Sequence, residues 1–340
     1  MLRLSRGSNA AHHQLPLRRP NHRKTRRKRP ETRACLQQRV ATSPRSSQIP
    51  RSSQIPAKQP DPSLPLHDAN ANSHALFGRT PAIIGMVHLR ALPGSPQSQL
   101  APREIARLAV EEAKTLAAAG FDAVLLENMH DAPYLARHVG PETIAAFARA
   151  ACEVRAAVSV PLGVQVLAGA NDAALAIAIA AELQFIRAEG FVFASIADEG
   201  FLSEASAGPL LRLRRALGAD RGASRIAILA DIKKKHSAHA ITADTTLADH
   251  AHGAEFFGAD GVIVTGSATG CATPISDLSA ARNACHLPVI AGSGTNATNV
   301  RDVLAVAHAA IVGSDLKKDG VWSNDLDHAR IDRFVRVAKG

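Results

Sequence analysis

The sequence predicts an α/β fold, a single (β/α)8 or TIM barrel over residues 76–340, preceded by a disordered basic extension over residues 1–75. Three observations carry this. From Pro81 onward, short β-branched apolar runs alternate with longer Ala- and Leu-rich amphipathic segments, the pattern of repeated β-α units around a parallel sheet. Eight such units fall in roughly 250 residues, the size and order of a closed barrel. The glycine-rich turns come late in the chain, whereas an open dinucleotide-binding sheet places one after its first strand.

In order, residues 82–88 read as the first strand and 102–119 as its helix, 123–127 and 142–157 as the second pair, and 162–166 and 172–181 as the third. The fourth pair is 184–189 with 208–217, the fifth 226–231 with 247–257, and the sixth 262–265 with 278–284. The last two are 289–291 with 297–306 and 310–312 with 327–337. The turn after the first strand, Leu92-Pro93-Gly94-Ser95-Pro96, has its glycine among prolines. It is a rigid loop and a poor cradle for a dinucleotide.

Residues 1–75 combine an Arg/Lys run from Arg23 to Arg29, many prolines and a duplicated R-S-S-Q-I-P at 45–50 and 51–56. Such a segment buries too little apolar surface to offset its chain entropy. It is read as an unstructured extension, translated from an upstream start that the cell does not use; the rival readings are an organelle presequence, because it is Arg-rich and almost free of acids, and a nucleic-acid or anionic-membrane tether.

The charge is distributed unevenly. The 340 residues carry a formal net charge of +10, but residues 1–60 hold 15 Lys and Arg against Glu31 alone, leaving 25 basic and 29 acidic residues in the remainder. The barrel is therefore mildly acidic and has no electrostatic footprint for a nucleic-acid backbone. Cys35, Cys152, Cys271 and Cys285 lie far apart, without a C-x-x-C pair, and read as reduced thiols. The longest apolar stretch, 173–186, is interrupted by Glu182 and Gln184 and is too short to span a bilayer. The expected location is the cytoplasm, or an organelle if the extension is a presequence.

In barrel enzymes the reactive groups sit where strands end. After the seventh strand stands Gly292-Ser293-Gly294, and after the eighth Gly313-Ser314. Backbone N–H groups freed of side-chain bulk can approach a phosphate, so these five residues are the candidate phosphate site. The first strand ends at His88, the second at Glu127-Asn128 with Asp131 following, and the fifth at Asp231 with Lys233, Lys235 and His236 close behind. Glu127, Asp231, Lys235, His236 and His88 are the candidate catalytic set, an acid, a base and a cation able to shift one another's pKa. Lys233 and Lys234 read as a solvated charge run.

Thr265-Gly266, at the end of the sixth strand, opens a run of small residues that leaves room for a ligand. Asp198-Glu199-Gly200, after the fourth, reads as either a lid or a solvated acidic turn. No cofactor is expected. A divalent metal at His88, Glu127, Asp131 or His236 is geometrically open, but no paired-ligand spacing supports it.

The chain resembles the BtpA/SgcQ family over residues 76–338. The resemblance is carried by Ile84-Gly85-Met86-Val87-His88-Leu89, the Leu92–Pro96 turn, Glu127-Asn128 with Asp131 and Pro133, and Phe185-Ile186-Arg187. It continues through Ala230-Asp231 with Lys235-His236, Thr265-Gly266 with Ala268-Thr269-Gly270, Gly292-Ser293-Gly294 and Ile311-Val312-Gly313-Ser314. The stretches 188–194 and 230–237 look like one variant within the family.

The resemblance implies a barrel, phosphate binding and, in photosynthetic members, a link to photosystem I accumulation; other members sit among sugar-metabolism genes. It supplies no catalytic set. It adds Asn128, Asp131, Arg187, Thr265 and Gly266 as substrate-binding candidates. The expected function is general acid–base catalysis on a small phosphorylated metabolite, a sugar phosphate or nucleotide-like compound, at the barrel mouth. The alternative is a non-catalytic assembly factor of the photosystem I type. A homo-oligomer is left open.

Overall fold

The computed structural model describes residues 68–234, 236–266 and 270–340. Its elements run α1 (Ala69–Phe77), β1 (Ala82–His88), α2 (Pro102–Ala119), β2 (Ala123–Glu127), α3 (Pro141–Ala157), β3 (Leu162–Gln165), α4 (Asn171–Ala180) and β4 (Phe185–Ala188). Then come β5 (Ser195–Ala197), β6 (Gly200–Leu202), α5 (Ala207–Ala216), β7 (Ala227–Ile232), β8 (Ser237–Ala238), α6 (Leu247–Phe256) and β9 (Gly261–Val264). The chain ends with α7 (Ile275–Ala284), β10 (Val289–Ala291), α8 (Val300–Val306), β11 (Ala309–Val312) and α9 (His328–Lys339).

Eight of the strands close a parallel barrel in the order β1-β2-β3-β4-β7-β9-β10-β11 and back to β1. They form because they are apolar on both faces, as strands covered inside and out must be. In β1 all seven residues are buried. Ile84 and Met86 point inward to meet Leu125, Leu229, Ile263, Ile290 and Ile311, while Ile83 and Val87 point outward into the layer shared with the helices. Helix α2 starts on a proline in its first turn and ends at Gly120, whose φ of 100° is the left-handed cap glycine tolerates. Its Ile105, Ala109, Ala113 and Leu116 form the stripe buried against the barrel.

Two features go beyond the eight repeats. Helix α1 crosses the boundary drawn at residue 75, and its Phe77 packs edge-on to Phe185 at 5.7 Å inside the bottom of the barrel. Gly163 makes room for that ring, since a β-carbon there would lie 2.1 Å from it. The second feature is a small antiparallel sheet, ordered β6-β5-β8, built from the loops after β4 and β7. The 198–200 segment is thus the turn of a hairpin.

Candidate functional site

Period-two alternation carries the inward row of each strand up to the mouth. His88 continues Ile84 and Met86; Glu127 continues Leu125 and pairs in register with both His88 and Gln165. Arg187 continues Phe185, and Asp231 continues Leu229. The sequence reading placed His88, Glu127 and Asp231 at strand ends and took Arg187 from the family resemblance, and the barrel brings the four together.

His88 and Glu127 form one pair, with Nε2 3.8 Å from a Glu127 carboxylate oxygen. The other ring nitrogen, Nδ1, lies 3.2 Å from the Trp322 carbonyl. A carbonyl only accepts, so Nδ1 carries the proton and Nε2 is the atom turned to Glu127. Arg187 and Asp231 form the second pair: the guanidinium donates to both carboxylate oxygens at 3.0–3.2 Å, with side chains only 4% and 1% exposed. Burial works to lower the Arg187 pKa, but the charges of Asp231 and then Glu127 prevail and raise it above its ordinary value. Arg187 is a fixed cation at the centre of the mouth.

A cleft of about 170 Å³ opens here, lined by His88, Glu127 and Arg187 on one side and by the turns after β10 and β11 on the other. Asp231 does not line it. Gly313 brings the two sides into contact: a β-carbon there would sit 3.2 Å from the His88 ring. Gly294, at φ 65°, lies so close to the loop after β9 that a β-carbon would fall 2.2 Å from the Cys271 backbone. Ser293 braces the same loop, its hydroxyl accepting from the Gly266 N–H at 2.8 Å and donating to the Cys271 carbonyl at 3.1 Å. Gly292 donates its N–H to Val264. The cleft is also lined by Gly292, Ser314, Thr295 and Arg330. Arg330 donates from Nε to the Asp315 carbonyl and from its terminal nitrogen to the Asp315 carboxylate, each at 2.7 Å.

The other candidates take different places. Asn128 donates to Asp131 at 2.8 Å and accepts from the Leu167 N–H at 2.8 Å, while Asp131 accepts from the Leu92 N–H at 2.7 Å. Both brace loops. Burial raises the Asp131 pKa against those hydrogen bonds. Thr265 is buried at the end of β9. His236 is exposed on the loop between β7 and β8, 3.7 Å from Asp198, and Lys235 lies outside the described residues.

The expectation of a solvated Lys234 is corrected. Its side chain is 8% exposed, with Nζ 3.4 Å from Glu189 and 3.5 Å from Glu199. Burial opposes its charge, but Glu189 and Glu199 prevail and raise its pKa. Glu199 thereby ties the hairpin to the barrel mouth. Lys233 is only partly buried and donates to the Thr245 carbonyl at 2.6 Å.

Among the described residues no group of three or more His, Cys, Asp or Glu is placed to hold a metal ion, and no helix is long and apolar enough to cross a membrane. Gln165, Glu189, Thr295, Trp322 and Arg330 were not singled out from sequence. Continuing the alternation from Gly163 and Arg187 would have reached Gln165 and Glu189; Trp322 and Arg330 give no local signal.

The chain is 43% identical over 272 residues to an uncharacterized mitochondrial protein of Caenorhabditis elegans, covering 78% of this chain and 95% of that one. It is 35% identical over 256 residues to the photosystem I biogenesis protein BtpA of Synechocystis, covering 75% and 87%. In fold it is similar to the (S)-3-O-geranylgeranylglyceryl phosphate synthase of Thermoplasma acidophilum, at a TM-score of 0.52 and 14% identity over 79% of this chain and 98% of that one. Residues 79–340 match the model of the BtpA family, and the chain belongs to that family.

Proposed function

We propose that the barrel mouth is an active site for a small phosphorylated metabolite. Its phosphate binds between the turns after β10 and β11, and the reacting end lies against His88, Glu127 and Arg187. The observation that carries this reading is the close approach at Gly313, where a β-carbon would sit 3.2 Å from the ring of His88, the partner of Glu127. Backbone N–H groups of the two turns and the Arg330 guanidinium supply the anion's partners.

Glu127 is the general base. Asp231, held at both oxygens by Arg187, serves as an anchor. His88 presents Nε2 to Glu127 and can take up or return the proton that Glu127 moves. Arg187 steadies negative charge developing on the substrate, without having to reorganise as it forms. A thermal-shift screen with phosphorylated sugars and nucleotides tests the binding, since a ligand of the native state raises apparent stability. On a substrate found that way, Glu127→Gln should lower turnover by at least about a hundredfold; full turnover would refute the assignment.

A second reading, a docking body for a membrane complex, takes support from the Synechocystis relative's name and from Ile196 and Phe201. These are cross-strand partners of the small sheet, 40% and 62% exposed. If the chain restores photosystem I in Synechocystis lacking its relative, Glu127→Gln distinguishes the readings: equal restoration supports docking, and loss supports catalysis. The mitochondrial relative likewise supports reading residues 1–75 as a presequence. Fusion of those residues to a fluorescent protein should then direct it to mitochondria, and diffuse fluorescence would count against the idea.

A further inference from the structure

The loop of residues 317–326, between β11 and α9, closes on itself at its base. Lys317 and Leu326 form an antiparallel bridge, the Lys318 N–H donates to the Asp325 carbonyl at 2.9 Å, and the buried Lys317 donates to both carboxylate oxygens of Glu112 on α2 at 2.7–2.9 Å. Gly320 of this loop lines the cleft. Trp322 follows, its ring 4.9 Å from that of His130 and edge-on at 5.9 Å to that of His88. Burial, aided by Arg90 and Lys317, holds His130 at about 4, so at neutral pH it meets the indole as an uncharged ring. Arg90, in the loop after β1, ties the flank of the loop by donating to the Ser323 carbonyl at 3.4 Å and to the Asp325 carboxylate at 2.5 Å.

These contacts fix the Trp322 backbone, and its carbonyl is the atom that meets His88 Nδ1 at 3.2 Å. The consequence is chemical. A neutral imidazole has one proton for two nitrogens, and the hydrogen bond that one nitrogen makes decides which of them carries it. A carbonyl at Nδ1 draws the proton there and leaves Nε2 with its lone pair. Nε2 is 3.8 Å from the Glu127 carboxylate, beyond hydrogen-bonding distance, so the closer of the two contacts is the one at the carbonyl. With its proton on Nε2, the neutral ring could donate toward Glu127 but not accept from it.

We infer that Trp322 is a positioning residue. Its ring, packed on His130 and His88, holds its own carbonyl at His88 Nδ1 and thereby keeps Nε2 able to accept the proton that Glu127 moves. That transfer rests on Glu127 being the base, as proposed above. The tautomer does not, and the test reads the tautomer alone.

Nitrogen-15 NMR of the full chain, labelled at histidine and free of ligand, is recorded at about pH 8, above the ordinary titration range of an imidazole. The two ring signals of His88 are those lost in His88→Gln. In the wild type Nδ1 should show the shift of an N–H nitrogen, and Nε2 the strongly downfield shift of an unprotonated one. Trp322→Ala should draw the two shifts together as the tautomers mix, while Trp322→Phe, which keeps an aromatic ring on the histidines, should retain the wild-type pattern. His308 is the internal control. Its Nδ1 accepts from the Val289 N–H at 3.0 Å, so it carries the opposite tautomer and should not change in either variant. Arg90→Met, which releases Ser323 and Asp325, serves the same comparison if the Ala variant does not fold. A proton on His88 Nε2 in the wild type, or a His88 pattern unchanged in the folded variant, overturns the inference and leaves Glu127 standing as the base. Full turnover in Glu127→Gln overturns the base, and the proton transfer with it, but not the tautomer.

Discussion

At Asp231 both carboxylate oxygens accept from a guanidinium that is itself almost wholly buried. Asp231→Asn leaves Arg187 charged and under-paired, and should cost about 3–5 kcal/mol in urea denaturation. Glu127→Gln should change stability by less than about 1 kcal/mol while removing the base. Equal stability losses in the two variants would contradict the division into anchor and base. Glu127 and Asp231 were legible in sequence because they end strands, and a strand end fixes the position of a side chain; Arg187, inside the strand read over 184–189, was reached only through the family resemblance. The pairing of Asp231 with Arg187 was not, because nothing along the chain links two residues 44 positions apart. Lys234 was misread for the same reason: three consecutive lysines look solvated until Glu189 and Glu199 are folded around one of them.

Among elements, the eight barrel strands were readable because burial on both faces makes them continuous apolar runs, and their predicted limits agree with the structure to within a residue or two. The small sheet was not, since β5 and β6 have three residues each and β8 has two, too short for any periodicity to register. Its hairpin is held by Glu199 on Lys234, so Lys234→Met should loosen β5 and β6 selectively. Hydrogen exchange in residues 195–202 would rise with little change in β7, and uniform exchange would contradict the latch. The turn after β10 depends on Gly294. Gly294→Ala imposes a side chain at φ 65° and a clash with the Cys271 backbone; it should cost roughly 2 kcal/mol or more and abolish phosphate binding, read by thermal denaturation with and without ligand.

For the whole molecule, stability should fall on acidification. Burial pushes His130 down to about 4, aided by Arg90 and Lys317, and pushes His250 down to about 4, aided by Lys233 and His239. Both stay neutral in the folded chain while the unfolded chain takes up protons near pH 6.5. Their contribution is complete above about pH 6.5 and is lost as pH falls toward 4. The urea midpoint should drop over that window, with a shallower slope in His250→Gln; an unchanged slope would contradict the assignment. The positive charge of the chain, which at first suggests a polyanion partner, belongs to residues 1–60, and the mildly acidic remainder carries the mouth. The central claim is that this mouth holds a phosphomonoester between the turns after β10 and β11. A crystal structure with a saturating pentose 5-phosphate tests it most directly. The account predicts the phosphate within hydrogen-bonding distance of the Gly294-Thr295 and Gly313-Ser314 backbone, with the sugar against His88 and Glu127. Phosphate bound elsewhere, or a mouth with no ligand at saturation, would contradict it.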